Sequence, residues 1–253
     1  MITDFQAFSL PHLFGLVFPL LIGAGFVFMG MRATGNKRRM LNILFVCLLI
    51  AVRGSRYVID VWVGRFDIFD LLSLQICHID LILLIICLIR PNKALFHFVF
   101  LIGIPMGLAV ALMPGSIHPA PGLPRAILFI ISHMLLVVGA VYLAVVEKME
   151  LKLKYVFAIL GIGNLLILLA YFINKALGTN FLYVMHAPEG TVIAKLNDLF
   201  GWPGYVLAMD IIAASAILLV FIIYTAIFRL SIYQNTRRTF KLNKPANKKS
   251  ITK

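Results

Sequence analysis

Residues 126–146 read AILFIISHMLLVVGAVYLAVV, twenty-one positions without one charge. As an α-helix at 1.5 Å per residue they span about 31 Å, enough to cross a hydrocarbon layer of ~30 Å. Outward from this stretch the pattern recurs, with further apolar blocks near 11–31, 40–64, 68–89, 94–113, 155–177 and 204–228. The mean hydropathy is +1.00 and 13% of residues are charged, against about 25% in a soluble domain. An ordinary soluble protein is excluded. The reading predicts an all-α polytopic membrane bundle of seven transmembrane helices over residues 1–228, followed by a basic cytoplasmic tail, 229–253.

Orientation follows from the basic residues of the connections. With the N-terminus outside, segments 32–39, 90–93, 147–154 and the tail hold seventeen Lys and Arg, against four on the other side. The positive-inside rule then places the N-terminus outside and the C-terminus in the cytoplasm. No Lys or Arg precedes Arg32, so the start lacks the basic region of a cleavable signal peptide and the first span is expected to stay. The net charge of +13 gathers on the inner face, where it attracts anionic headgroups. No aromatic residues interleave with the charges in the manner of a nucleic-acid site.

Two outer connections stand out. Residues 114–125 begin with four prolines and two glycines in eleven positions, a density that blocks helix. Residues 178–203 form a long loop of low charge, the kind that serves as a cap or an ordered connector. Gly103-x-x-x-Gly107 and Gly161-x-Gly163 read as close-packing points between helices, and Pro105 as a kink. All three cysteines lie within spans, so no disulfide framework is expected. No zinc-ligand spacing occurs, and neither metal nor cofactor is implied.

Charged side chains in lipid are costly and turn inward. In the second span Arg53, Arg56 and Asp60 share a face at helical spacing, either as an internal ion-pair network or as holders of a lipid phosphate. In the third, Asp70, Ser73, Cys77 and Asp80 fall on one stripe flanked by Gln75 and His78. Cys47 and Cys87 lie among apolar residues and read as inert. Cys77 is nine residues from the start of its span and His133 seven from the start of its own, depths of about 13 and 10 Å. A thiol at the level of an imidazole is a nucleophile with a base to take its proton. A lone histidine in a span also serves as a plain helix-to-helix hydrogen bonder.

Three motifs carry a resemblance. Leu72-Ser73-Leu74-Gln75-Ile76-Cys77-His78, then Ser132-His133, then Gly178-Thr179-Asn180-Phe181-Leu182-Tyr183 resemble, in order and rough spacing, the bacterial YwaF-like integral membrane proteins. These are related to human transmembrane protein 164, an ether-phospholipid acyltransferase. The resemblance implies a bacterial plasma-membrane protein with Cys77 as acyl-accepting thiol and His133 as its base. Asn180 and Tyr183 fall on the family's loop motif, with a role in site closure or in oxyanion and headgroup contact. Ser73, Gln75 and His78 stand where the family usually has Pro, His and Asp or Asn, so the surroundings of the pair have changed.

The implied activity is a CoA-independent phospholipid acyltransferase, transacylase or lipid ester hydrolase working through an acyl thioester. Membrane phospholipids and lysolipids are its partners. Gln75, Ser73 or Asn180 would donate to the oxyanion, and Arg53 or Arg56 would hold the phosphate. A small-solute transporter and a non-catalytic lipid-binding seven-helix protein are the alternatives. Both also bury charge around a polar path.

Overall fold

The computed structural model describes residues 5–64, 66–71, 74–113 and 122–242, with side chains as far as Phe228 apart from those of Asp70 and Leu71. The described residues contain helices and connections but no strand. The helices are α1 (Leu10–Arg32), α2 (Gly35–Trp62), α3 (Ile68–Leu71), α4 (Ile76–Ile89), α5 (Lys93–Leu112), α6 (Leu123–Val145), α7 (Leu153–Leu177) and α8 (Val192–Leu242). Six of them, α1, α2, α5, α6, α7 and α8, are long and apolar enough to cross a membrane. Local chemistry sets several ends. Asn92 caps α5 by accepting from the amides of Ala94 and Leu95 at 2.9 and 3.1 Å. Gly178 ends α7 in the left-handed region, φ 67°, where a side chain would be strained.

The third span departs from expectation. Instead of one helix over 68–89, the short α3 ends at Leu71 and α4 begins at Ile76. Its 14 residues cover about 21 Å, short of a full crossing. The stripe from Asp70 to Asp80 therefore does not lie on one continuous helix, and only Cys77 and Asp80 stay one turn apart on α4. Irregular backbone at membrane depth persists where protein covers it. Here Leu74 packs with Phe181 and Val184, and the Gln75 side-chain carbonyl accepts from the Leu182 amide at 3.2 Å.

α6 occupies the centre, touching α1, α2, α4 and α5, while α7 and α8 join through α5. Its apolar window is 67% buried, against 22% for α1 and 11% for α8, so the outer helices turn most of their surface to lipid. Gly15, Gly23 and Gly30 face α6, where a Cβ would meet Ile130, Val138 and Tyr142. This row at near-heptad spacing, unremarked in the sequence, lets the two backbones approach. Gly103 and Gly107 are close-packing points as predicted. Gly161 and Gly163 are not, since a Cβ at either would meet nothing within 4 Å. Helix α5 continues through Pro105.

The connection 178–203 is more structured than a loop. It holds a 3-10 turn at Phe181–Tyr183 and the first residues of α8, with non-helical backbone at Gly201 and Trp202 separating these from the rest of that helix. The last helix extends to Leu242, past the predicted start of the tail at 229. Residues 114–121 and 243–253, in the proline-rich connection and the tail, lie outside the described residues, as does Ser73.

Candidate active site

Cys77 is the second residue of α4, because the chain breaks just before it. The first amides of a helix have no acceptor within it and concentrate positive potential. A residue predicted to lie mid-helix thus occupies a helix start. His133 comes from the middle of α6 and is 4% exposed. The two line one small cavity with Arg53, His78, Leu81, Ser132 and Leu136, about 10 Å³ in volume. That is room for one water.

The histidine is oriented by its own helix. Its Nδ1 lies 2.8 Å from the carbonyl oxygen of Phe129, with the Ser132 hydroxyl at 3.4 Å. A carbonyl can only accept, so Nδ1 carries the proton and Nε2 is the basic nitrogen. The hydroxyl of Ser132 itself donates to Phe129 at 2.8 Å, and the Phe129 ring lies against the imidazole with centroids 4.3 Å apart. From the other side, Gly107 of α5 faces the backbone of His133. A Cβ there would be 2.7 Å from its carbonyl oxygen, so glycine lets α5 support this turn of α6.

The two arginines of α2 part company. Arg56 pairs with Asp60 at 3.7 Å, and Asp60 also accepts from Arg125 of α6 at 2.6 and 3.4 Å. The predicted Arg56–Asp60 pair is therefore a triad that ties α2 to α6. Arg53 instead donates to the Tyr57 hydroxyl at 3.2 and 2.9 Å and contacts Nε2 of His78. It meets no carboxylate within 4.0 Å among the described residues. Of the two cations, Arg53 is the one that reaches the cavity.

Asn180 and Tyr183 stand apart from it. The Asn180 amide closes its own loop, donating to the carbonyl of His186 at 2.8 Å and accepting from Met185 and His186. The Tyr183 carbonyl accepts from the Tyr205 hydroxyl at 2.6 Å. Gln75 joins this loop to the start of α4. The residue that holds the loop was not foreseen. Asn174, 1% exposed near the end of α7, donates to the Phe181 carbonyl and accepts from the Phe181 amide and the Thr179 hydroxyl. Its signal was an amide side chain in an apolar span one turn before the Gly-Thr-Asn motif. Asp80, one turn after Cys77, belongs to the polar stripe and, in the transport alternative, to the polar path. Its carboxylate is fully buried and makes no hydrogen bond among the described residues. No group of three or more metal-ligating side chains occurs among the described residues.

Comparison with known proteins agrees with the motif resemblance. The TMEM164 family model matches residues 7–238, so the chain belongs to the TMEM164 family and is an integral membrane protein. No curated protein and no solved structure matches it.

Proposed function

Taking membership of this family as the premise, we propose that the protein transfers or hydrolyses an acyl group of membrane phospholipids through a thioester on Cys77. The observation that carries this reading is the shared cavity of Cys77 and His133, with Nδ1 of the imidazole engaged and Nε2 left as the base. Nε2 takes the thiol proton, and sulfur attacks the ester carbonyl carbon. The tetrahedral intermediate collapses with cleavage of the C–O bond, and Nε2 returns the proton to the departing alkoxide. A lysolipid hydroxyl or water then attacks the thioester, giving its proton to Nε2, and the thiol is restored. Backbone amides at the start of α4 and the Gln75 side chain, just before Cys77, are assigned as donors for the developing oxyanion. Arg53 holds the lipid phosphate, because Arg56 is committed to Asp60.

The cavity, about 10 Å³ and partly open, does not hold an acyl chain as it stands, so in this reading α2, α4 and α6 part locally to admit the ester. With the N-terminus outside, the start of α4 lies in the outer half of the bilayer, away from cytosolic CoA. The protein is then a CoA-independent enzyme of a bacterial plasma membrane.

The test is intact-protein mass spectrometry of the solubilised protein after incubation with phospholipid, beside Cys77→Ala and His133→Ala. A hydroxylamine-sensitive acyl adduct is expected on the unmodified protein and absent from Cys77→Ala, with turnover about 10²–10⁴-fold lower in His133→Ala. No adduct and equally slow turnover in all three proteins would sink the proposal. A second reading, small-solute transport, is favoured by the buried carboxyl of Asp80. Transport that survives Cys77→Ser would select it.

A further inference from the structure

The ends of α2, α4 and α6 remote from Cys77 line a second and much larger pocket, open to the surface. Its volume is about 260 Å³, and its walls include Arg38, Arg39, Asn42, Leu88, Pro91 and Glu147. One water needs only ~10–15 Å³, so the space admits a polar group of several atoms.

Its chemistry is mixed in sign. Arg38 is anchored by donating through Nε to the Ala33 carbonyl at 3.1 Å, which fixes a cation at the end of α1. Arg39, exposed beside it, makes no hydrogen bond or ion pair with a described residue. Glu147 faces the same cavity, yet no cation lies within 4.0 Å of it among the described residues. One of its oxygens accepts from the Asn42 amide at 3.1 Å. Asn42 is itself 7% exposed, donating also to the Leu88 carbonyl at 3.0 Å and accepting from the Tyr142 hydroxyl at 2.6 Å. A buried and fully occupied amide thus holds the carboxylate in place. Two cations and one anion are set around a space without closing on each other.

We propose that this cavity binds a phospholipid head that carries a phosphate and a primary ammonium. The phosphate lies toward Arg38 and Arg39, matching guanidinium geometry. The ammonium lies toward the second oxygen of Glu147, which repels a purely anionic head. Ile43 and Ile89, both exposed, line the same pocket and lead from it to the apolar surface where acyl chains begin. The position fits as well, since the ends of membrane helices lie at headgroup level. This site is separate from the thioester chemistry and does not depend on it.

The experiment is native mass spectrometry of the full-length protein in detergent, titrated with phosphatidylethanolamine or phosphatidylglycerol of identical chains. The unmodified protein and Cys77→Ala are both expected to retain phosphatidylethanolamine about fivefold better, the discrimination one well-placed charge contact provides. Arg39→Gln, which removes no internal bond, lowers that retention about fivefold. Glu147→Gln keeps an acceptor for Asn42 and abolishes the preference. Equal retention of both lipids by the unmodified protein overturns the proposal, and so does a preference unchanged in both variants. Displacement of the bound lipid by soluble O-phosphoethanolamine supports a headgroup site. Displacement by inorganic phosphate at equal concentration reduces it to a general anion site and overturns the assignment of the ammonium.

Discussion

At the scale of single residues, position and partner decide more than residue type. Arg53 and Arg56 are both cations on one helix, three residues apart, yet one is held by a carboxylate and the other by a phenol and an imidazole. Arg53→Gln is therefore expected to raise the KM for phospholipid about tenfold, the loss of one charged hydrogen bond, with a smaller fall in thermal midpoint than Arg56→Gln. Arg56→Gln is expected to do the reverse, lowering the midpoint with little effect on KM. Steady-state kinetics and thermal unfolding of both variants check the pair. The sequence made Cys77 and His133 stand out because each is a chemically capable group in an apolar span. Helical spacing placed Arg56 beside Asp60, but that Arg125 joins Asp60 and that Arg53 is the arginine reaching the cavity of Cys77 and His133 are contacts between distant segments.

At the scale of elements, close approach of backbones governs. Gly103 lets α5 lie against α4 at Asp80, and a Cβ there would be 2.5 Å from the carboxylate oxygen. Gly103→Ala should cost about 1–3 kcal/mol, the usual range for overpacking. In Asp80→Ala the same substitution should be nearly free, so the two changes are strongly non-additive. Reversible unfolding in detergent of the four proteins of the cycle measures this. The Asp60 triad joins α2 to α6 in another way. Asp60→Asn leaves Arg56 and Arg125, at 12% and 18% side-chain exposure, without their anion. The expected loss is about 2–3 kcal/mol, below the range for a fully buried pair because solvent reaches both guanidinium groups. The Gly-x-x-x-Gly of α5 was legible as a spacing. The row from Gly15 to Gly30 was not, because its meaning lies in the opposing α6 residues.

At the scale of the whole molecule, the distribution of basic residues predicts a cytoplasmic C-terminus. Green fluorescent protein fused after Lys253 should fluoresce, and periplasmic alkaline phosphatase at the same point should be inactive. The opposite result would move Cys77 to the inner half of the bilayer, within reach of acyl-CoA, and change the acyl donor to be tested. Composition and the twenty-residue apolar period were enough to determine a helical membrane bundle, because each span must satisfy its backbone internally whatever surrounds it. Family motifs, each local in the chain, were legible for the same reason. Only the tertiary structure decided that the third span is broken before Cys77, that the 178–183 motif covers this break, and that α6 is the central helix. It also decided which of the buried charges pair. Those outcomes depend on contacts between segments far apart in sequence, and a local pattern holds no information about which distant partner satisfies it.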